Sequence, residues 1–329
     1  GYNCRPPDGG GDRAGRNYGG SRLSAEEKGA RMKKLKGIKA VITDADNTIY
    51  SWIDYIVPSL EALTETLHRV TGFSREAIVE SMKKIFSKYN TNEYAFVLQE
   101  AEIFDEIRRN DYRWFQEHVV NPARYSFNRA RKMNLHVYPG VHKTLQILCG
   151  CGIRVIGLSD APAFPAEQRL KHLAVDRYIE ALYALKSYPV PKGRDLDERI
   201  VNRIRLGYYK SHIRRVVELP LSFEKPSTRG LARILEEERL RPERVVLIGD
   251  SVKKDIRIAQ EMGIADVWAR YGTVIAPEMR EKLNFYSAPE IQRRNVSQPG
   301  DASYAPTWTV DRFDQLLDLI ELPPAAPRA

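Results

Sequence analysis

The chain has 329 residues, of which 43% are hydrophobic, and it carries a formal net charge of +9. This length is sufficient for one large hydrophobic core with a smaller module, and no stretch approaches the roughly 18 continuous apolar residues of a membrane span. Three cysteines cannot form a disulfide framework and no leader typical of secretion is visible, so we expect a cytoplasmic protein without a membrane partner.

The positive charge is concentrated in two segments. Residues 1–36 carry nine Lys/Arg against four Asp/Glu, and residues 186–215 carry nine against three, so the remainder is not basic. The first of these segments includes residues 1–30, which are rich in Gly and Arg and have almost no apolar periodicity. We predict that residues 1–30 form a disordered tail.

The first predicted strand ends in two carboxylates. Residues 38–43 form a short, continuous apolar run, which is typical of a central parallel strand. Asp44 and Asp46 follow it at a spacing that lets both face the crevice beyond the carboxyl end of the strand, where open α/β sheets bind ligands. The pair is suited to phosphoryl chemistry, although an Asx turn would explain the same residues.

A predicted helical segment follows the two aspartates directly. Residues 52–135 contain apolar residues at helical spacing, for example Leu60 and Leu67. Helices inserted at this point would cover the strand ends and exclude water. We therefore predict a helical cap at residues 52–135, with the α/β core formed by residues 36–51 and 136–322.

Two later apolar strands also end in polar residues. One runs into Ser159 and Asp160, and the other runs into Asp250 and Ser251, while Lys225 lies between them and shortly precedes a helical pattern. Each feature alone has an ordinary explanation as a turn, a helix N-cap or a solvated lysine. Their joint occurrence in this order is much less expected by chance.

A basic insertion at about residues 186–222 interrupts the core. It interleaves tyrosines with arginines, such as Tyr209 with Arg203 and Arg205. Such a segment can contact nucleic acid phosphates, but we favour a solvated surface excursion, so nucleic acid is a less favoured partner. Residues 323–329 form a Pro-rich tail.

Together these residues resemble the motifs of the haloacid dehalogenase-like (HAD) hydrolase superfamily. The resemblance extends from Lys36 to Gly272 and implies a doubly wound, Rossmann-like parallel sheet with an inserted α-helical cap. Relatives that cleave carbon–halogen bonds lack the second aspartate of the first motif, so Asp46 favours phosphate esters. The matching residues are Asp44-Ala-Asp46-Asn-Thr48, Ser159, Lys225 and Gly249-Asp250-Ser251 with Asp255.

The chemistry of these residues leads to the same expectation. Asp44 lies closest to the strand and can attack phosphorus as the nucleophile, while Asp46 can act as general acid and then as general base. Lys225 would offset the charge on the phosphoryl group, and Ser159 would donate a hydrogen bond to it.

Mg²⁺ is the expected cofactor, because it prefers oxygen ligands and takes few protein carboxylates. Asp44 and Asp250 are the natural direct pair, and the resemblance adds the backbone carbonyl of Asp46. Asp255 would hold a metal-bound water or Lys225.

Three residues are assigned to substrate binding: Asn47, Thr48 and Asp160. The second motif of the family more commonly has Asn where this chain has Asp160. An extra negative charge near a phosphate is unfavourable unless Asp160 points away or pairs with Lys or Arg.

Three functions are consistent with the sequence. The leading hypothesis is a Mg²⁺-dependent phosphatase acting on a small phosphorylated metabolite, such as a sugar phosphate, phosphoglycolate or a nucleoside monophosphate. Tyr50, Trp52 and Tyr55 could stack on a base, although packing in the cap hinge is the interpretation we favour. The alternatives are a phosphomutase of the same fold and a nucleic-acid-binding or polynucleotide-end-processing protein that uses the basic insertion.

Overall fold

The computed structural model describes residues 34–187, 207, 209–296 and 304–324. The predicted disordered tail, most of the basic insertion and the last five residues of the Pro-rich tail lie outside the described residues. The predictions made for these parts of the chain therefore stay predictions.

The described residues form a parallel sheet of seven strands, namely β1 (Ala40–Thr43), β2 (Arg154–Pro162), β3 (Ala181–Leu185), β4 (Arg215–Leu219), β5 (Val245–Gly249), β6 (Ala265–Ala269) and β7 (Trp308–Val310). Their order is β4-β3-β2-β1-β5-β6-β7. From the central strand the chain therefore winds outward in one direction and then in the other. This confirms the predicted doubly wound, Rossmann-like core.

The buried central strand β1 explains why the sheet needs helices on both faces. All four of its residues are buried. Val41 belongs to one hydrophobic cluster, while Ala40 and Ile42 belong to a second cluster. Successive side chains of a strand point to opposite faces, so the continuous apolar run predicts two covered faces.

Thirteen α-helices lie within the described residues: α1 (Trp52–Thr71), α2 (Arg75–Tyr89), α3 (Val97–Glu100), α4 (Asp105–Asn110), α5 (Tyr112–Phe115), α6 (Asn121–Asn134), α7 (Val141–Gly150), α8 (Ala163–His172), α9 (Arg229–Glu237), α10 (Arg257–Glu261), α11 (Pro277–Tyr286), α12 (Pro289–Asn295) and α13 (Leu316–Leu319). None of these described helices combines the length and the apolar character of a membrane span.

The first six helices lie between β1 and β2 and form the segment predicted as a cap. Ser51 begins α1 by accepting a hydrogen bond from the Asp54 amide at 3.2 Å, and Gly72 ends it with a φ of 75°. The apolar face of α1 packs against α6 and α11. This packing joins the inserted helices to the hydrophobic cluster on one face of the sheet.

One stretch of this segment with helical spacing is broken into short pieces. The apolar residues Phe96, Ile103 and Ile107 are spaced as in a helix, but the structure has α3, a 3₁₀ turn at Glu102–Phe104 and then α4. Ala101 is extended, with φ −65° and ψ 124°, and it interrupts the helix. The side chains of Leu98 and Phe104 are both buried on either side of this break.

Candidate active site

A cavity of about 60 Å³ that opens to solvent lies at the carboxyl ends of β1, β2 and β5. The residues that line it come from the three strand ends, from the loop before α9 and from the inserted helices. They are Asp44, Asp46, Asn47, Trp52, Thr91, Glu93, Asp160, Ala161, Pro162, Lys225, Asp250, Ser251, Lys254 and Asp255.

Lys225 lies at the centre of the acidic side of this cavity. Its Nζ donates hydrogen bonds to Asp44 Oδ1 at 2.8 Å and to Asp255 Oδ1 at 2.7 Å. Only 4% of the Lys225 side chain is exposed, so the ion pairs are shielded from water. Asp250 completes the group, because carboxylate oxygens of Asp44, Asp250 and Asp255 lie within 4.8 Å of one another.

Gly249 permits this close arrangement. A Cβ at position 249 would lie 2.3 Å from Cγ of Asp255, so any other residue would displace that carboxylate. The Ser251 amide then donates to Asp255 Oδ2 at 3.1 Å and fixes its orientation. The glycine in the predicted motif is therefore needed for packing at the site.

The cluster raises the pKa of both Asp44 and Lys225, for different reasons. Burial raises the pKa of Asp44 to about 7, although the positive charge of Lys225 opposes the shift. Burial alone would lower the pKa of Lys225, but the carboxylates of Asp255 and Asp44 raise it well above its usual value. Lys225 therefore stays charged and helps Asp44 to ionise.

Asp46 lines the same cavity in a different environment. Its side chain is 25% exposed, and Oδ2 lies 3.4 Å from Nη2 of Arg169. Oδ1 is buried and has no hydrogen bond partner among the described residues. Burial raises the pKa of Asp46, and the charge of Arg169 opposes this. A carboxyl group with a raised pKa that lines the cavity and is partly exposed can hold a proton for a ligand there.

Asp160 is held by two lysines. Its Oδ1 accepts a hydrogen bond from the Lys225 amide at 3.0 Å, and its Oδ2 accepts one from Lys254 Nζ at 2.9 Å. Burial would raise its pKa, but the charges of Lys254 and Lys225 outweigh this and lower it. The unusual aspartate therefore anchors the backbone that carries Lys225 to the end of β2.

Replacing Asp160 with alanine should reduce turnover by about 10- to 100-fold, because Lys225 would lose its backbone anchor and shift. Asp160→Asn keeps an oxygen acceptor for the Lys225 amide and should lose less activity. Steady-state kinetics and thermal unfolding of both variants test this. Equal losses in the two variants would show that the charge of Asp160, rather than its hydrogen bond to the Lys225 amide, is what matters.

Three other residues predicted for the site lie differently. The Ser159 hydroxyl is buried beside the cavity and accepts a hydrogen bond from the Ala161 amide at 3.1 Å. Thr48 is fully buried and is not among the lining residues. Asn47 lines the cavity, and its Oδ1 accepts from the Trp52 amide at 3.0 Å, at the start of α1. The predicted contacts of all three with substrate stay predictions.

The three aromatic residues that follow the aspartates separate into two groups. Trp52 lines the cavity. Tyr50 and Tyr55 are fully buried behind it, with the Arg169 guanidinium carbon 5.7 Å from each ring centroid. Tyr50 and Tyr55 therefore pack at the base of α1, as favoured from the sequence, and only Trp52 is placed to contact a ligand.

Sequence reasoning missed two charged residues that line the cavity, Glu93 and Lys254, and the buried Arg169 that contacts Asp46 and Glu93. A signal for Arg169 was present, because it follows Ala166 by three residues on the buried face of α8. Glu93 lies in the irregular connection between α2 and α3, where no periodic pattern indicates which side chains point inward.

The structure describes part of the basic insertion. In this part, Arg215 is paired with acidic residues, whereas the sequence favoured a solvated surface segment. Arg215 begins β4 and pairs with Glu237 at 2.7 Å and with Glu238. Its charge is therefore partly compensated by acidic residues at the end of α9. Arg214, by contrast, is exposed, as expected from the sequence.

Comparison with known proteins identifies the family to which the chain belongs. The model described as haloacid dehalogenase-like hydrolase matches residues 38–263, which include all the residues predicted for the site, and a second model, described as HAD-hydrolase-like, matches residues 222–316. No curated protein matches the sequence.

Two solved structures illustrate the structural similarity. A HAD phosphatase from Thermococcus onnurineus is 17% identical, with a TM-score of 0.48 over 87% of this chain and 99% of that chain. A 2-haloacid dehalogenase from Pseudomonas syringae pv. Tomato is 16% identical, with a TM-score of 0.46 over 86% of this chain and 97% of that chain.

Proposed function

Because the chain belongs to the haloacid dehalogenase-like hydrolase family, we propose that it is a Mg²⁺-dependent phosphatase that hydrolyses a small phosphate monoester through an aspartyl-phosphate intermediate. The observation that carries this proposal is the pairing of two aspartates with different environments on one cavity. Asp44 is bound to Lys225, while the Asp46 carboxyl group is 25% exposed, lines the cavity and lies beside Arg169. One carboxylate can thus attack while the other moves the proton.

The acidic cluster supports Mg²⁺ as the cofactor. Asp44, Asp250 and Asp255 offer buried carboxylate oxygens close together, which is a donor set that suits a hard divalent cation. We propose Asp44 and Asp250 as direct ligands together with the carbonyl of Asp46, and Asp255 as a residue that holds Lys225. The cation would offset negative charge on the transferring phosphoryl group.

In the first step, an oxygen of Asp44 attacks phosphorus and the bond between phosphorus and the ester oxygen breaks. The leaving alkoxide takes a proton from Asp46, so the product departs as a neutral alcohol. Lys225 stabilises the negative charge that spreads over the phosphoryl oxygens. The Lys225 side chain is already fixed by Asp255, which reduces the reorganisation needed in the transition state.

In the second step, water attacks the phosphorus of the aspartyl phosphate. Asp46, now ionised, accepts a proton from this water, and the bond between phosphorus and the Asp44 oxygen breaks. Inorganic phosphate is released and the Asp44 carboxylate is regenerated. The two steps return both aspartates to their starting protonation states.

The walls of the cavity support a small substrate. Trp52, Thr91 and Glu93 come from the inserted helical segment, and the other lining residues come from the core. We propose that residues 52–135 are the cap that closes over the leaving group. Both cysteines that the structure describes, Cys149 and Cys151, are free thiols, which supports a cytoplasmic location.

Removal of divalent cations should abolish phosphate release, and Mg²⁺ should restore it. Asp250→Asn should weaken Mg²⁺ binding and activity together, because it removes one charged ligand. Isothermal titration with Mg²⁺ and a phosphate-release assay against phosphorylated metabolites measure the two effects. Asp311→Asn, which changes an exposed aspartate outside the cavity, is the matched control.

Full activity in excess chelator would rule out the metal-dependent mechanism. Unchanged Mg²⁺ affinity in Asp250→Asn would rule out Asp250 as a ligand. Transfer of the phosphate to a second position on the product, without release, would indicate the phosphomutase.

A further inference from the structure

Arg169 is the most completely buried charged side chain near the cavity. It lies on α8, is 1% exposed, and uses three guanidinium nitrogens for three different partners. Nε donates to the Tyr50 hydroxyl at 2.7 Å, Nη1 donates to Glu93 Oε1 at 2.6 Å, and Nη2 donates to Asp46 Oδ2 at 3.4 Å. A charge buried this deeply is stable only because it is paired.

These partners come from separate parts of the chain. Asp46 follows β1 in the core, Tyr50 lies just before α1, and Glu93 belongs to the connection between α2 and α3. The Tyr55 hydroxyl also donates to Glu93 Oε1, at 2.9 Å, so Glu93 is held from two sides. Arg169, on a core helix, thus connects Asp46, the proposed acid, to Glu93 of the inserted segment.

The geometry around Arg169 is better suited to orienting the carboxylates of Asp46 and Glu93 than to neutralising their charge alone. A guanidinium is planar and holds two carboxylates in a fixed relative position, which lysine cannot do. Its contact with Glu93 is short and its contact with Asp46 is long, so Oδ2 of Asp46 is directed toward the arginine without a tight bond. The Asp46 side chain is still 25% exposed and lines the cavity, so the carboxyl group can reach a leaving group there while Arg169 restricts its rotation.

We propose that Arg169 is a positioning residue, which holds the Asp46 carboxyl group at the angle needed to protonate the leaving group. Arg169 also fixes Glu93, and with it this side of the cavity, relative to Asp46. This inference rests on the phosphatase function proposed above. Arg169 does not contact substrate in this account. It acts by restricting the rotamers of Asp46 and Glu93, and Tyr50 and Tyr55 hold the guanidinium in place.

The test compares leaving groups that differ in their need for an acid. Arg169→Met is assayed with p-nitrophenyl phosphate, whose leaving group departs without protonation, and with an alkyl phosphate such as glycerol phosphate, whose leaving group requires it. We expect kcat/KM, which reports the phosphorylation of Asp44, to fall about 100-fold for the alkyl ester, in line with the usual contribution of general acid catalysis. For the aryl ester we expect only a few-fold loss, and Arg169→Lys should be intermediate.

Two milder substitutions keep the test decisive if Arg169→Met fails to fold. Tyr50→Phe removes the acceptor for Nε and preserves the buried ring, and Glu93→Gln removes the charge opposite Nη1. Both should reduce kcat/KM for the alkyl ester more than for the aryl ester. Arg154→Lys is the matched control, because Arg154 is another multiply paired arginine of the core. It is part-buried and pairs with Glu180 and Glu238 at the start of β2, away from the cavity.

Equal losses with both esters in the Arg169, Tyr50 and Glu93 variants would overturn the inference, since a purely structural role affects all substrates alike. Equal losses leave the phosphatase proposal intact if the wild type still releases phosphate. If the wild type hydrolyses neither ester nor any metabolite phosphate, both the proposed function and the role of Arg169 are wrong.

Discussion

Replacing Asp44 with asparagine is expected to lower turnover by about four orders of magnitude or more, as when the nucleophile of a covalent mechanism is removed. The amide is nearly the same shape and can still accept a hydrogen bond from Lys225, so the fold should be retained. What is lost is the only group that can form the acyl phosphate. Phosphate release, with circular dichroism to confirm folding, measures this effect.

Asp46→Asn is the informative comparison for Asp44→Asn. It removes the acid but leaves the nucleophile, so slow phosphorylation of Asp44 should continue with good leaving groups such as p-nitrophenolate. Hydrolysis of the intermediate should then be slow, because no base activates water. Phosphoenzyme trapped in Asp44→Asn instead would show that the two aspartates have been assigned the wrong way round.

Replacing Lys225 with alanine is expected to reduce turnover by about 100- to 1,000-fold, which is the usual effect of removing one charge-stabilising donor. Two physical causes act together. The phosphoryl group loses a fixed positive charge in a shielded site, and Asp44 loses the charge that opposes the burial-driven rise of its pKa. A larger fraction of Asp44 would then be protonated near neutral pH and unable to attack.

The second cause predicts the sign of a pH effect. Ionised Asp44 is the reactive form, so the rate at fixed Mg²⁺ should rise with pH, and Lys225→Ala should reach its maximum at a higher pH than the wild type. The same variant should be destabilised by about 3–5 kcal/mol without Mg²⁺, because the carboxylates of Asp44 and Asp255 lose their buried partner. Added Mg²⁺ should recover part of this loss.

Arg214→Ala provides the control for Lys225→Ala. Arg214 is exposed, and charges farther than about 8 Å apart are largely screened at physiological salt. Its removal should leave turnover of a small ester nearly unchanged. A sharp rise in the Michaelis constant in Arg214→Ala would instead indicate that the basic insertion contacts the substrate. A large polyanionic substrate would then be the better hypothesis.

The strands that carry the site could be predicted from the sequence for a clear physical reason. β1, β2 and β5 are covered on both faces, so each is a continuous apolar run that ends abruptly in polar residues. Parallel strands place those ends at one edge of the sheet. Asp44, Asp160 and Asp250 could therefore be placed at the same edge of the sheet, and the resemblance to the family implied that they belong to one site.

The partners of Arg169 could not be predicted in the same way. Its position on the apolar face of α8 indicates burial, but the identity of its partners depends on how the inserted helices lie against the core. Glu93 is in a connection without periodicity, and Tyr50 was considered for packing in the cap hinge or for stacking on a base, not as a partner of an arginine. Contacts between distant segments of irregular structure leave no local pattern in the sequence.

The orientation of the residues after Asp46 could not be predicted from the sequence either. Asn47 adopts a φ of 56° and its side chain accepts from the Trp52 amide, which turns the chain into α1. Thr48 is buried by this turn and its carbonyl accepts a hydrogen bond from the Tyr271 hydroxyl at 2.6 Å. The motif from Asp44 to Thr48 thus forms the turn into α1 as well as one side of the cavity. The spacing of its residues does not indicate which of them turn the chain and which face the cavity.

The central claim is that Asp44 becomes phosphorylated during turnover. The most direct measurement is acid quenching of the enzyme during reaction with a phosphate monoester, followed by peptide mapping by mass spectrometry. We predict a phosphoryl group on the peptide that contains Asp44, more abundant in Asp46→Asn and absent in Asp44→Asn. Steady release of phosphate with no phosphorylated peptide, or with the phosphoryl group on another residue, would contradict the mechanism.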